Sequence, residues 1–205
     1  MRKIVIFASG SGSNAEKIIL HFNKKNLVNV VGAFTNNPDA KVINKAKKNN
    51  VPTFVFSKEE LNSGKVTAMI NQIQPDLIVL AGFLLKFPDD IINQYPNKII
   101  NIHPALLPKY GGKGMYGKHV HQAVLDNNDK ETGITIHYVN EHYDEGGIIF
   151  QKEINIENCK TPEEIADKIQ ELEHKHFPEI IERLLDSIIQ QSNNPTIQQS
   201  NNPTI

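Results

Sequence analysis

The sequence predicts an α/β fold: a Rossmann-like, doubly wound, mostly parallel sheet with a C-terminal antiparallel hairpin and a long final helix. Three observations carry this. Apolar β-branched runs alternate with helically spaced ones through the first hundred residues. A Gly-rich turn, Ser9-Gly10-Ser11-Gly12-Ser13-Asn14, separates the first strand from the first helix. After residue 102 the alternation stops, and two adjacent strand-like runs lead into one long amphipathic segment.

The elements follow in order. Lys3 to Ala8 is a continuous β-branched run, as expected of a strand covered on both faces. Ala15 to Lys24 carries Ile18, Ile19 and Phe22 at helical spacing. Leu27 to Phe34 is a second strand, ending at Thr35-Asn36-Asn37-Pro38-Asp39. Ala40 to Asn49 reads as a helix, Thr53 to Phe56 as a short strand and Lys58 to Gln72 as one helix. Leu77 to Leu80 is the fourth strand, Asp89 to Gln94 a short helix and Lys98 to Ile102 the fifth strand. A Gly-rich loop over 103–118 precedes a helix at about 119–126. Gly133 to Asn140 and Gly147 to Ile156 are close enough to pair as an antiparallel hairpin. Thr161-Pro162-Glu163-Glu164 starts the last helix: a Thr N-cap, Pro at the first position and a capping-box acid. That helix should run towards Leu185. Residues 1–188 are thus expected to form one domain. Residues 189–205 are read as a low-complexity tail, since Gln190 to Ile197 and Gln198 to Ile205 repeat the same eight polar-rich residues. Such a segment has too little apolar surface to offset the cost of ordering and is expected to be disordered.

The chain has 205 residues and a formal net charge of -1, so no basic footprint points to nucleic acid. No apolar run approaches the roughly 20 residues a membrane helix needs. The apolar stretch at Met1 to Phe7 is short and leads directly into a loop, which suits a first strand and not a signal peptide. The single cysteine, Cys159, excludes an internal disulfide and a cysteine-based zinc cluster. His119 and His121 lie two apart at a helix start with no third ligand in view, so no metal is expected. The class expected is a cytoplasmic enzyme or binding domain acting on small molecules, as a monomer or homodimer.

The loop Gly10, Ser11, Gly12, Ser13, Asn14 is placed to hold an anion. Backbone N–H groups at a helix start have no helical partner and face the positive end of the helix dipole. Gly10-x-Gly12-x-x-Ala15 also fits a loose dinucleotide fingerprint, but the acid expected at the end of the second strand is missing, since Thr35-Asn36-Asn37 stand there. Side-chain donors on Ser11, Ser13 and Asn14 suit a single terminal phosphate. The plainer reading is a tight Gly turn with a polar cap.

Asn101 and His103 end the fifth strand and point to the same side. In open α/β sheets ligands bind beyond the carboxyl ends of the strands. An amide and an imidazole there can stabilise an oxyanion and handle a proton. Asp144 lies in a Gly-rich turn of the late hairpin. On its own it reads as a turn aspartate bonded to nearby N–H groups.

Taken together, Ser9 to Asn14, Leu80-Ala81-Gly82-Phe83, Asn101-Ile102-His103-Pro104 with Leu106-Leu107-Pro108-Lys109-Tyr110, and Asp144 occur in an order and spacing that resembles the phosphoribosylglycinamide formyltransferase family over roughly residues 2–187. The resemblance implies formyl transfer from the co-substrate 10-formyltetrahydrofolate to the amine of glycinamide ribonucleotide, in purine biosynthesis. It implies Asn101, His103 and Asp144 as the catalytic group, with Asp144 raising the pKa of His103 and ordering a proton-relaying water. It also implies Gly10 to Asn14 as the phosphate site, and Gln170 and Glu173 as further substrate contacts. The implied folate pocket is Phe83, Leu84, Leu85, Lys86 and Phe87 with Val139, Asn140, Glu141, His142 and Tyr143. The chain departs from the family pattern in a longer loop, Gly111 to Gly117, read as a lid, and at Leu84-Leu85-Lys86, where a basic residue often comes one place earlier. A formyltetrahydrofolate deformylase and a sugar-nucleotide formyltransferase share the same core. A nicotinamide dehydrogenase and a non-catalytic binding domain are the readings from other classes.

Overall fold

The computed structural model of the chain describes residues 1–25 and 28–193. Its centre is one seven-stranded sheet in the order β3-β2-β1-β4-β5-β6-β7. The chain runs β1 (Arg2–Phe7), α1 (Ser13–Phe22), β2 (Val28–Thr35), α2 (Val42–Lys48), β3 (Thr53–Val55), α3 (Lys58–Asn62) and α4 (Lys65–Ile73). It continues through β4 (Leu77–Leu80), α5 (Asp89–Gln94), β5 (Ile99–His103), α6 (Lys118–Asp126), β6 (Glu131–Tyr138), β7 (Ile148–Asn155) and α7 (Pro162–Asn193). The first five strands pair parallel, and β5–β6 and β6–β7 pair antiparallel. Among the described residues, no helix is long and apolar enough to cross a membrane.

The β-branched run at β1 is explained by helices on both faces. Ile4, Ile6 and Ala8 join one core with Ile18, Ile19 and Phe22 of α1 and with Ile165, Ile169 and Phe177 of α7. Val5 and Phe7 point the other way, into a second core with Val66 and Ile70 of α4 and Ile91 of α5. All the β1 side chains from Ile4 to Phe7 are fully buried. Phe7 also anchors an aromatic cluster: it stacks on Phe34 at 4.8 Å and meets Phe83 and Phe87 edge-on at 5.4 and 5.1 Å. Such pairs add about 0.5–1.5 kcal/mol beyond the area they bury. The segment after β4 is thereby fixed to the sheet.

Two expectations are corrected. The helix expected over 58–72 is two helices, α3 and α4, broken at Ser63-Gly64. Gly64 has φ +83°, a conformation that ends a helix and that glycine adopts without strain. The last helix does not stop near Leu185 but runs about two further turns to Asn193, into the start of the repeated segment, because no Gly or Pro intervenes before Pro195. Residues 194–205, where most of the expected disordered tail falls, lie outside the described residues. The capping box at the helix start is present, with Glu164 N–H donating to Thr161 Oγ1 at 3.2 Å and Thr161 N–H to Glu164 Oε2 at 3.2 Å.

The hairpin packs tightly enough to need its glycines. A Cβ at Gly133 would sit 2.1 Å from Lys152 O and 2.7 Å from a Leu106 methyl. Gly133→Ala must therefore displace the β6–β7 ladder. It is expected to lower stability by about 1–3 kcal/mol, read as a drop in the urea midpoint at unchanged slope.

Candidate active site

A cavity of about 580 Å³ lies across the carboxyl ends of β1, β4 and β5. Its walls are the loops after β1 (10–14) and β4 (80–87), the end of β5, the Gly-rich loop 112–117, the β6–β7 connection and one face of α7. Every residue that the sequence singled out for catalysis, phosphate, substrate or folate lines this one space.

At its centre are four side chains. His103 is 3 % exposed, and its Nε2 lies 2.7 Å from the carbonyl oxygen of Tyr110. A carbonyl only accepts, so Nε2 carries the hydrogen and Nδ1 is the nitrogen that gains or loses a proton. Nδ1 faces Asp144 Oδ2 at 3.6 Å. Asp144 also accepts from the backbone N–H of Gly112 at 3.0 Å. On β6, His137 is paired in register with Asn101. Its Nδ1 donates to the Tyr138 carbonyl at 2.8 Å, so its Nε2 accepts from Asn101 Nδ2 at 3.1 Å. That bond orients the Asn101 amide, leaving its second N–H free to donate.

Burial decides the charge of this group. Loss of water pushes the His103 imidazole below its usual range. The Asp144 carboxylate and the Tyr110 carbonyl push it up without restoring it. The expectation that Asp144 raises His103 is thus right for the sign of that one contribution. The net shift is downward, because a fully enclosed ring loses more hydration than a carboxylate 3.6 Å away returns. Burial raises Asp144, but the His137 and His103 rings, whenever either takes up a proton, and the Gly112 N–H hold it below its usual value. Asp144 is therefore ionised beside a His103 whose burial favours the neutral imidazole.

The end expected to hold a phosphate is built from backbone. Gly12 caps α1 at φ +65° with no side-chain hydrogen bond, so the first N–H groups of α1 remain open. A Cβ there would also strike Val42 Cβ at 2.5 Å. Asn14 does not point its amide outward: Nδ2 donates to Glu173 Oε2 at 2.7 Å, while Gln170 Nε2 donates to Ser13 Oγ at 3.3 Å. Asn36, at the position where a dinucleotide fold places its acid, accepts from the Ser9 hydroxyl at 2.6 Å. Glu173 is partly open to the cavity yet walled by protein, and desolvation pushes its carboxyl up to about 7 against the Asn14 hydrogen bond.

The opposite arm is apolar. Phe83 and Phe87 form its floor against Phe7, and Phe87 is 3 % exposed, so it supports the wall more than it offers surface. Leu84 and Tyr143 are exposed at the rim. Lys86 is exposed and paired with Asp89 at 3.0 Å. In the β6–β7 connection, Asn140 Oδ1 accepts from the His142 N–H at 3.0 Å and shapes the turn.

Sequence reasoning missed His137 as a member of the group. Its signal was alternation: Thr135 and His137 share the face opposite to Ile134 and Ile136 on β6. It also weighed His121 only as a metal ligand. His121 is buried at the cavity wall, and its pKa is lowered by burial and by His103.

The fold and site are those of a formyl group-transfer enzyme: residues 2–181 match the formyl transferase family, and the chain belongs to it. Its relatives are phosphoribosylglycinamide formyltransferases. The Bacillus subtilis protein of that name is 38% identical over 191 residues, covering 90% of this chain and 95% of the relative. The Arabidopsis thaliana chloroplastic one is 36% identical over 196 residues, covering 92% and 67%. The crystal structure of the Bacillus halodurans one superposes with a TM-score of 0.83 at 33% identity, covering 96% of this chain and 100% of that one.

The raised Glu173 carboxyl has a consequence for stability. Its folded pKa, about 7, is above the 4.5 of a free glutamate side chain, so folding favours the protonated form. Its contribution is therefore neutral at low pH and becomes a penalty as pH rises from about 4.5 towards 7. Glu173→Gln keeps the acceptor for Asn14. It is expected to match the parent near pH 4.5 and to be more stable by about 1–3 kcal/mol at pH 8, measured by urea unfolding across that range.

Proposed function

We propose that the protein transfers the formyl group of 10-formyltetrahydrofolate to the amine of glycinamide ribonucleotide, in purine biosynthesis. The observation that carries this reading is the continuity of one cavity. An anion cradle at the start of α1, the Asn101–His103–Asp144 group and an apolar arm at 83–87 and 139–143 follow one another along it. Its volume, about 580 Å³, is that of a small-molecule site. The relatives are named for formyl transfer to phosphoribosylglycinamide. No metal and no nucleic acid enter the reading, and a cytoplasmic setting suits it.

The reaction is derived from the side chains. The open N–H groups after Gly12 take the phosphate, and Glu173 and Gln170 take the ribose or glycinamide portion. The apolar arm takes the folate ring system. The amine forms a bond to the formyl carbon, and the formyl oxygen becomes an oxyanion. Asn101 donates to that oxygen through the amide hydrogen that His137 leaves free. Burial favours the neutral form of His103, so Nδ1 is free to accept the proton that the attacking amine loses, through a water held by Asp144. The resulting imidazolium also stabilises the oxyanion, an interaction stronger in the transition state than in the ground state. Nδ1 then returns the proton to the departing folate nitrogen as its bond to the formyl carbon breaks. Atoms and charge balance with no other reactant.

Absorbance-monitored turnover of 10-formyl-5,8-dideazafolate, with and without glycinamide ribonucleotide, tests the reading. Deformylation that requires the ribonucleotide supports it. Deformylation in water alone makes the protein a hydrolase, and none with folded protein removes the assignment. Asn101→Ala and His103→Ala are each expected to lower kcat by about 10²–10³-fold while the protein stays folded by circular dichroism.

A further inference from the structure

The catalytic pair is held from behind by three consecutive residues, Tyr110, Gly111 and Gly112, to which the reaction assigns no role. His103 Nε2 donates to the carbonyl of Tyr110, and the Gly112 N–H donates to Asp144. Between them the Gly111 N–H donates to Pro108 O at 3.3 Å. The N–H and C=O of one planar trans peptide point in opposite directions. Fixing the Gly111 N–H on Pro108 therefore aims the Tyr110 carbonyl the other way, at His103. Gly111 lets this segment lie flush on the pair: a Cβ there would be 2.7 Å from Leu107 Cδ2 and 3.2 Å from Asp144 Cβ.

What holds the segment itself is the Tyr110 side chain. It is 5 % exposed and belongs to the core shared with α6 and α7. Its hydroxyl donates to Asp129 Oδ2 at 2.6 Å and accepts from Asn127 Nδ2 at 2.9 Å. Lys109 Nζ pairs with the same Asp129 at 2.7 Å and lies 5.1 Å from the Tyr110 ring centre. Gly112 within this segment and Gly114 and Gly117 in the loop after it have positive φ.

We propose that Tyr110, anchored by Asp129 in the connection after α6, is a positioning residue: it fixes the two peptide groups that orient His103 and Asp144. The inference rests on the formyl-transfer reading for its kinetic consequence, but not for its structural one. Tyr110 touches no reacting atom. It selects the His103 tautomer and holds Nδ1 towards the carboxylate. Without the anchor, the Tyr110 carbonyl loses its aim, and a hydrogen bond that favours the imidazolium is weakened. The charged or titratable groups facing His103 are Asp144 from the β6–β7 connection, His137 from β6 and His121 from α6. Asp129 is not among them, so its effect runs through Tyr110.

The test uses the full-length protein with Tyr110→Phe, Asp129→Ala and Asp129→Asn. Asn retains an acceptor for the Tyr110 hydroxyl but removes the charge. The first readout is an NMR titration of ¹³C-labelled histidine, with the His103 signal assigned from the spectrum of His103→Ala. Tyr110→Phe and Asp129→Ala are expected to move the His103 midpoint down by about half a unit or more, with Asp129→Asn near the parent. The second is kinetic: in the first two variants kcat should fall by about 10-fold with KM for both substrates little changed, since misplacement acts on the chemical step. A merely structural role would lower the melting temperature and leave both readouts at the parent value in folded protein, which overturns the proposal. So does an Asp129→Asn variant that shifts as far as Asp129→Ala, because the charge and not the anchor would then be acting. If the parent transfers no formyl group, the functional reading has failed, and the titration alone decides the positioning role. Tyr110→Phe keeps the buried ring, so it is the variant expected to fold if loss of the half-buried Asp129 carboxylate proves too costly.

Discussion

The change from parallel to antiparallel pairing across β5 is the constraint on which the site depends. On one edge β5 runs parallel to β4, which puts Asn101 level with Leu80 and opens the end of β5 beside the loops after β1 and β4. On the other edge β6 runs back against it and sets His137 opposite Asn101. A parallel sixth strand would run with β5 and not back against it, and the pairing that sets His137 opposite Asn101 would be lost. The connection from β6 to β7 carries Asp144 to His103.

Burial then gives the assembled groups their character. His103 and Asp144 are 3.6 Å apart, close enough to influence each other but not hydrogen-bonded. Each ring nitrogen and each carboxylate oxygen has a neighbour of definite sign, so the tautomers follow from the backbone carbonyls of Tyr110 and Tyr138. Across the cavity, Glu173 shows the same physics with less compensation: one amide hydrogen bond does not replace the water it has lost. The two ends of the site differ in kind. Backbone N–H groups are left open at one end, and aromatic rings fixed to Phe7 form an apolar wall at the other.

Much of this was legible in the chain. The β-branched run at Lys3 to Ala8 revealed a doubly covered strand, because periodicity disappears when both faces are buried. Thr161 and Glu164 marked a helix start, since capping is a local event. Gly10 to Asn14, Asn101 and His103 could be placed because strand ends and helix starts are local as well. What escaped notice depended on residues distant in sequence. His137 becomes a partner of Asn101 only through antiparallel register, which no local pattern states. The burial of Glu173 requires α7 to lie against α1, and the inward turn of Asn14 follows from it. The break at Gly64 was a local signal outweighed by the helical spacing on either side.

The cradle at the start of α1 has a consequence for heritable variation. Its donors belong to the main chain, so changes at Ser11 or Ser13 leave the peptide N–H groups in place and can drift under weak selection. Gly12 cannot: its φ of +65° and the 2.5 Å gap to Val42 leave no room for any side chain. A lineage could therefore rewrite most of the letters of this loop and still inherit its chemistry, while a single codon stays fixed.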